Sequence, residues 1–152
     1  MTKILFVCHG NICRSPMAEF VMRDKVYRAG MENCIQVASA ATSAEELGNP
    51  VYPPAQRVLK MHGLSCAGKT ARQMTRADYD QWDYLICMDS YNLRNMRRIT
   101  GGDPDGKMRL LTSFAGLQTD IEDPWYTGDF TGVYDQINSC CEALLNFLKK
   151  QS

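Results

Sequence analysis

Residues 3–8, KILFVC, are apolar at every position after the first, a run long enough for one strand and far too short to cross a membrane. Such a run suits a strand covered on both faces, the environment of a parallel sheet flanked by helices. The same pattern returns at 34–38, at 84–88 (YLICM) and, shorter, at 108–111. Helical periods fill the gaps. In 15–29, Ser15 is placed to cap, Pro16 suits the first turn, Ala18, Met22, Val26 and Ala29 share a face, and Gly30 ends the helix. Residues 54–62 repeat the pattern with Ala55, Val58, Leu59 and His62, and 90–98 form another helix. The last helix carries a stripe of Val133, Ile137, Cys140, Leu144 and Leu148. Strands alternating with helices predict an α/β domain of three layers, a parallel sheet with helices on both faces. Right-handed crossovers then put every strand's C-terminal end on one side, where such sheets bind ligands.

Composition narrows the function classes. The 152 residues suffice for one domain, taken as 1–152, and 45% of them are apolar. Seventeen Lys and Arg balance seventeen Asp and Glu, which argues against a nucleic-acid or anionic-membrane surface. No run near the start reaches the length of a signal h-region, so a soluble, cytoplasmic protein is expected. Seven cysteines make no disulfide framework and include no C-x2-C pair, and two histidines are too few for an obvious zinc site. No metal and no cofactor is expected, and most cysteines read as small core residues in a reducing compartment.

The loop after the first strand is Cys8-His9-Gly10-Asn11-Ile12-Cys13-Arg14-Ser15, with the spacing C-x5-R. Spacing alone is weak, since Cys66 and Arg72 repeat it. Context separates the two. Cys8 ends a buried strand, Gly10 and Asn11 tolerate left-handed backbone, and a helix opens at Ser15 and Pro16. Successive N–H groups in such a loop form an anion nest, reinforced by the helix dipole. A cysteine there is expected to ionise to the thiolate, and Arg14 to grip two oxygens of a phosphate. A rival phosphate motif, Gly63-Leu64-Ser65-Cys66-Ala67-Gly68-Lys69-Thr70, fits G-x4-G-K-T, and the run 84–89 resembles a strand ending in a magnesium-binding Asp. That motif must follow a strand and open a helix, whereas Gly63 follows a helical segment and reads as its stop.

Several segments in order carry a resemblance to a known family: VCHGNICRSP at 7–16, Ser39-Ala40-Ala41-Thr42-Ser43, the turn Gly48-Asn49-Pro50, the stretch 83–89, and Asp123-Pro124-Trp125-Tyr126. Together they resemble the low-molecular-weight protein tyrosine phosphatases over nearly the whole chain. The resemblance implies four parallel strands in the order 2-1-3-4, no metal, and hydrolysis of phosphotyrosine in proteins through a phosphocysteine. It implies Cys8 as nucleophile, Arg14 as phosphate clamp and Asp123 as general acid. His9, Gly10, Asn11, Ile12, Cys13 and Ser15 would surround the phosphate, with Trp125 and Tyr126 at the rim. Ser15 would donate to Cys8, and Asn11 and Ser39 would brace the loop. A phosphotyrosine-containing protein is the implied partner, and a cognate tyrosine kinase is a further candidate; no nucleic acid or membrane is. Cys8 and Cys13, five residues apart on a curled loop, are expected to form a reversible disulfide under mild peroxide.

Blander roles remain for some residues. Asp123 also suits a turn before Pro124, Trp125 and Tyr126 also suit loop packing, and His9 and His62 read more simply as solvated and structural. The chain departs from the animal pattern where Ala44-Glu45-Glu46-Leu47 replaces an aromatic and where Lys69 stands in place of a histidine that braces the loop in some members. Three other functions share parts of the pattern. An arsenate reductase needs a relay pair of cysteines that Cys87 does not complete. A phosphocysteine carrier should lack Arg14 and Asp123-Pro124, and a phosphate sensor has no use for Asp123.

Overall fold

The computed structural model describes residues 1–151. Four strands, β1 (Thr2–Cys8), β2 (Ile35–Ala41), β3 (Tyr84–Cys87) and β4 (Met108–Leu110), form a single sheet in the order β2-β1-β3-β4. All three pairings are parallel, with Cys8 level with Ala41 and Val7 level with Cys87. This is the expected order. The chain leaves β1 toward one edge and returns to the other side for β3, so the order reverses at the C-terminal ends of β1 and β3.

Alternation along β1 explains why its sequence is apolar throughout. Ile4, Phe6 and Cys8 join a large core with α1 (Arg14–Arg28), α2 (Pro53–Met61) and α6 (Phe130–Gln151). Leu5 and Val7 face a smaller core on the other side, with Tyr79 of α3 (Asp78–Gln81) and Met96 of α4 (Ser90–Thr100). All five stripe residues of α6 are buried, as expected. A short 3-10 helix, Leu111–Ala115, and the four-residue α5 (Pro124–Thr127) complete the elements.

Several boundaries differ from expectation. β2 continues through Ser39, Ala40 and Ala41, small residues of weak strand preference that pairing with Phe6, Val7 and Cys8 holds extended. Ser15 does not cap α1; that helix begins at Arg14 with Cys13 in the cap position and no side-chain cap. Only Asn11 of the Gly10-Asn11 pair is left-handed, at φ 59°. His62 follows α2 and stacks on Tyr134 at 4.0 Å between ring centres, which is structural. The segment 63–70 runs on from α2 as a loop and opens no helix, so the nucleotide motif lacks its context. Among the described residues, no helix is long and apolar enough to cross a membrane.

Candidate active site

Where β1 ends, Cys8 Sγ lies 3.0 Å from Ser15 Oγ on the first turn of α1. Asn11 Nδ2 donates to Ser15 Oγ at 2.8 Å and to Ser39 Oγ at 2.9 Å, while its Oδ1 accepts from the Arg72 N–H at 3.2 Å. One amide thus ties the loop to α1, to β2 and to the segment before α3. Asn11, Ser15 and Ser39 are all buried. The side chains of Asn11 and Ser15 stand behind the loop and do not line the cavity, so any contact they make with a phosphate is through backbone N–H. Among the described residues, none of the N–H groups of 9–15 donates to another protein group. They remain available to an anion, as a nest requires.

Arg14 is the largest fully buried side chain. Its Nη1 donates at 2.7 Å both to Asp89 Oδ2 and to the Ile121 carbonyl. Its Nη2 lies 3.6 Å from Asp123 Oδ2, and its buried Nε has no partner. One edge of the guanidinium is therefore anchored, and the Nε–Nη2 edge is left for a two-pronged ligand. Burial alone would lower the Arg14 pKa; Cys8, Asp89 and Asp123 outweigh it and hold the pKa above its ordinary value. Asp89 itself caps α4 in a capping box with Asn92. Its part in holding Arg14 is missing from the sequence expectations. The one visible sign was an apolar strand ending in Asp at the reversal of strand order.

A cavity of about 120 Å³ opens above Cys8, bordered by His9, Arg14, Asp123, Trp125 and the Glu45–Glu46 pair. Gly10, Ile12, Cys13 and Tyr126 also line it. Asp123 caps α5 through Trp125 N at 3.0 Å, so the turn role holds alongside its place at the cavity. Trp125 packs against Tyr52 with ring centres 4.7 Å apart and planes tilted by 49°; it is 49% exposed, and Tyr126 is 83% exposed. His9 Nε2 meets Glu45 Oε2 at 2.9 Å on the rim. Burial raises the Cys13 pKa, with Cys8 and Asp123 adding to it, so Cys13 is held as the thiol. Cys87 is likewise pushed up to about 12 by burial, with Asp89 adding to it.

A family model for low molecular weight phosphotyrosine protein phosphatase matches residues 3–152. The low molecular weight protein-tyrosine-phosphatase YfkJ of Bacillus subtilis is 38% identical over 153 residues, 99% of this chain and 98% of that protein. Its crystal structure superposes with a TM-score of 0.96, covering 100% of this chain and 97% of that one. The low molecular weight phosphotyrosine protein phosphatase of Gallus gallus is 44% identical over 147 residues, 93% of this chain and 92% of that protein. The structure of DARP, a drosophila arginine phosphatase, matches at 33% identity with a TM-score of 0.87, covering 97% of this chain and 98% of that one.

Proposed function

The chain belongs to the low molecular weight phosphotyrosine protein phosphatase family, and on that premise we propose that it hydrolyses phosphotyrosine in proteins through a phosphocysteine on Cys8. The phosphoryl group enters the cavity with its three non-bridging oxygens on the loop N–H groups and the Nε–Nη2 edge of Arg14. Cys8 thiolate attacks phosphorus in line as the tyrosine oxygen departs with a proton from Asp123. Water then attacks phosphocysteine and gives its proton to Asp123, releasing inorganic phosphate and the thiolate. A loose phosphoryl transition state needs fixed donors and charge neutralisation above all, and the nest with Arg14 supplies both. Asp123 spares the site from expelling a bare phenolate. Trp125 and Tyr126 form an aromatic rim suited to a flat substrate ring.

The observation that carries this reading is the Arg14 guanidinium, anchored on Asp89 and Ile121 with its buried Nε unpartnered, on the cavity that it lines together with Cys8. Turnover of p-nitrophenyl phosphate without added metal, acid quench and mass mapping test it. A phosphoryl adduct on the Cys8 peptide is expected, with adduct and turnover both lost in Cys8→Ser. Turnover that survives in Cys8→Ser would remove the covalent mechanism. Phosphotyrosine and phosphoarginine peptides run side by side separate this reading from the activity named for the drosophila relative.

The same reading gives Cys13 a redox part. Peroxide converts the Cys8 thiolate to the sulfenic acid, and the Cys13 thiol condenses with it, forming the disulfide and releasing water. Peptide mapping after brief peroxide should find the Cys8–Cys13 bridge; Cys8 sulfonate without it would overturn this part. Cytoplasmic location and a tyrosine kinase that generates the substrates belong to the same proposal.

A further inference from the structure

The bracing of the nucleophile loop does not stop at Ser39. Ser39 Oγ donates to Glu19 Oε1 at 2.5 Å, and the Glu19 side chain is only 3% exposed. Two cations flank that carboxylate. Arg23 Nη2 lies 2.7 Å from Oε2, and Lys69 Nζ lies 3.5 Å from Oε1 while donating to the Ser39 carbonyl at 2.9 Å. Arg23 is half-exposed and shares its donors with the Val37 carbonyl. Lys69 is only 13% exposed. Burial holds its pKa below the ordinary lysine value, with Arg72 and Arg23 adding to that, and Glu19 only partly offsets it.

Counting hydrogens gives this chain of contacts a direction. Because the Arg72 N–H occupies Asn11 Oδ1, Asn11 Nδ2 must donate to both serines. Ser15 Oγ therefore accepts from Asn11, and its one hydrogen is left for Cys8 Sγ. Ser39 Oγ accepts from Asn11 in the same way, so its one hydrogen goes to Glu19 Oε1; with Arg23 Nη2 against Oε2, both oxygens of Glu19 serve as acceptors, as in the carboxylate. A carboxylate so buried keeps its charge only beside a cation. We propose that Lys69 is a positioning residue for the nucleophile: by pairing with the Glu19 carboxylate and tying the Ser39 backbone, it fixes Ser39 Oγ as an acceptor for Asn11 and so steadies the Asn11 amide that leaves the Ser15 hydrogen to the Cys8 sulfur.

The proposal rests on Cys8 as nucleophile, but its test needs no phosphoryl transfer. Alkylation of Cys8 by iodoacetamide, followed by mapping of the Cys8 peptide, reads thiolate availability directly. Lys69→Gln keeps a donor for the Ser39 carbonyl and loses the charge. It should slow alkylation at neutral pH by about three- to tenfold, the size of a weakened hydrogen bond to an ion. Lys69→Met should do the same, Lys69→Arg should restore most of the rate, and Lys69→Gln should add little in a Ser15→Ala background. Wild-type alkylation in Lys69→Gln, or equal slowing with and without Ser15, would overturn the proposal. Absent phosphotyrosine turnover in the wild type would instead overturn the phosphatase reading and leave this one standing.

Discussion

Two loops meet over the cavity and are built in opposite ways. The loop bearing the proposed nucleophile is sunk at the end of β1, with Cys8, Asn11, Cys13, Arg14 and Ser15 all buried and with Cys8, Asn11 and Ser15 linked by side-chain hydrogen bonds. The loop bearing the proposed acid, from Asp123 to Gly128, lies at the surface, anchored by the Asp123 cap, buried Pro124 and the tilted ring contact of Trp125 with Tyr52. Charge that develops on a transferring phosphoryl group is stabilised best by donors already in place. A substrate ring must enter and leave, and a lightly anchored loop is where a fold admits that. One half of the site is preorganised and the other adaptable, and the difference is open to test.

The largest effects should fall on the buried half. Cys8→Ser should lose all turnover yet still bind vanadate, because the nest and Arg14 remain. Arg14→Lys should cost on the order of 10³-fold in kcat, since a point ammonium cannot reproduce the planar grip. Loss of vanadate binding in Cys8→Ser would break the comparison, because the cradle would then not be preformed. Asp89→Asn is a sharper probe. Asn still caps α4, but the charged hydrogen bond to Arg14 is gone, and kcat should fall roughly 10–100-fold. Little change would mean that Ile121 alone holds the guanidinium.

Support for the buried half reaches farther out. Asp78 accepts from Arg72 Nη1 and Nη2 at 3.1 and 3.0 Å, from Trp82 Nε1 at 3.1 Å and from the Thr75 N–H at 2.7 Å. Burial raises its pKa, but these bonds outweigh it and hold the pKa below the usual carboxylate value. Its contribution to stability is therefore present at neutral pH and lost as pH falls through the folded-state pKa. Asp78→Asn should cost about 1–3 kcal/mol at neutral pH by urea unfolding. The two proteins should converge in acid, and a gap that persists there would assign the loss to packing. Smallest of all, Trp125→Ala should raise KM for phosphotyrosine peptides a few-fold, roughly the worth of one aromatic contact, with kcat nearly unchanged. A large fall in kcat would mean that the rim positions the acid loop.

Legibility in the sequence follows the same division between local and distant causes. β1 and the stripe of α6 were readable because burial imposes an apolar pattern on consecutive or periodic residues. The nucleophile loop was readable because its residues are contiguous. Two helices of four residues, α3 and α5, are too short to show a period. Ser15 has the composition of a cap, yet its hydroxyl is committed to a sulfur seven positions earlier. Glu19, on a helix, looks like a solvent-facing charge until β2 and the loop bearing Lys69 close over it. Asp89 gains its meaning from Arg14, 75 residues away. Pairings across such separations are set by the topology and leave no mark in either local segment.

Asp123→Asn, assayed with substrates of graded leaving-group acidity, tests most directly whether the adaptable half supplies the proton while the fixed half carries the phosphoryl group. The account predicts a loss of about 10²–10⁴-fold for phosphotyrosine and much less for an ester whose leaving group departs unaided. The rate should accordingly depend more steeply on leaving-group acidity in the variant. An equal loss for every leaving group would contradict the account, because Asp123 would then hold the loop together and protonate nothing.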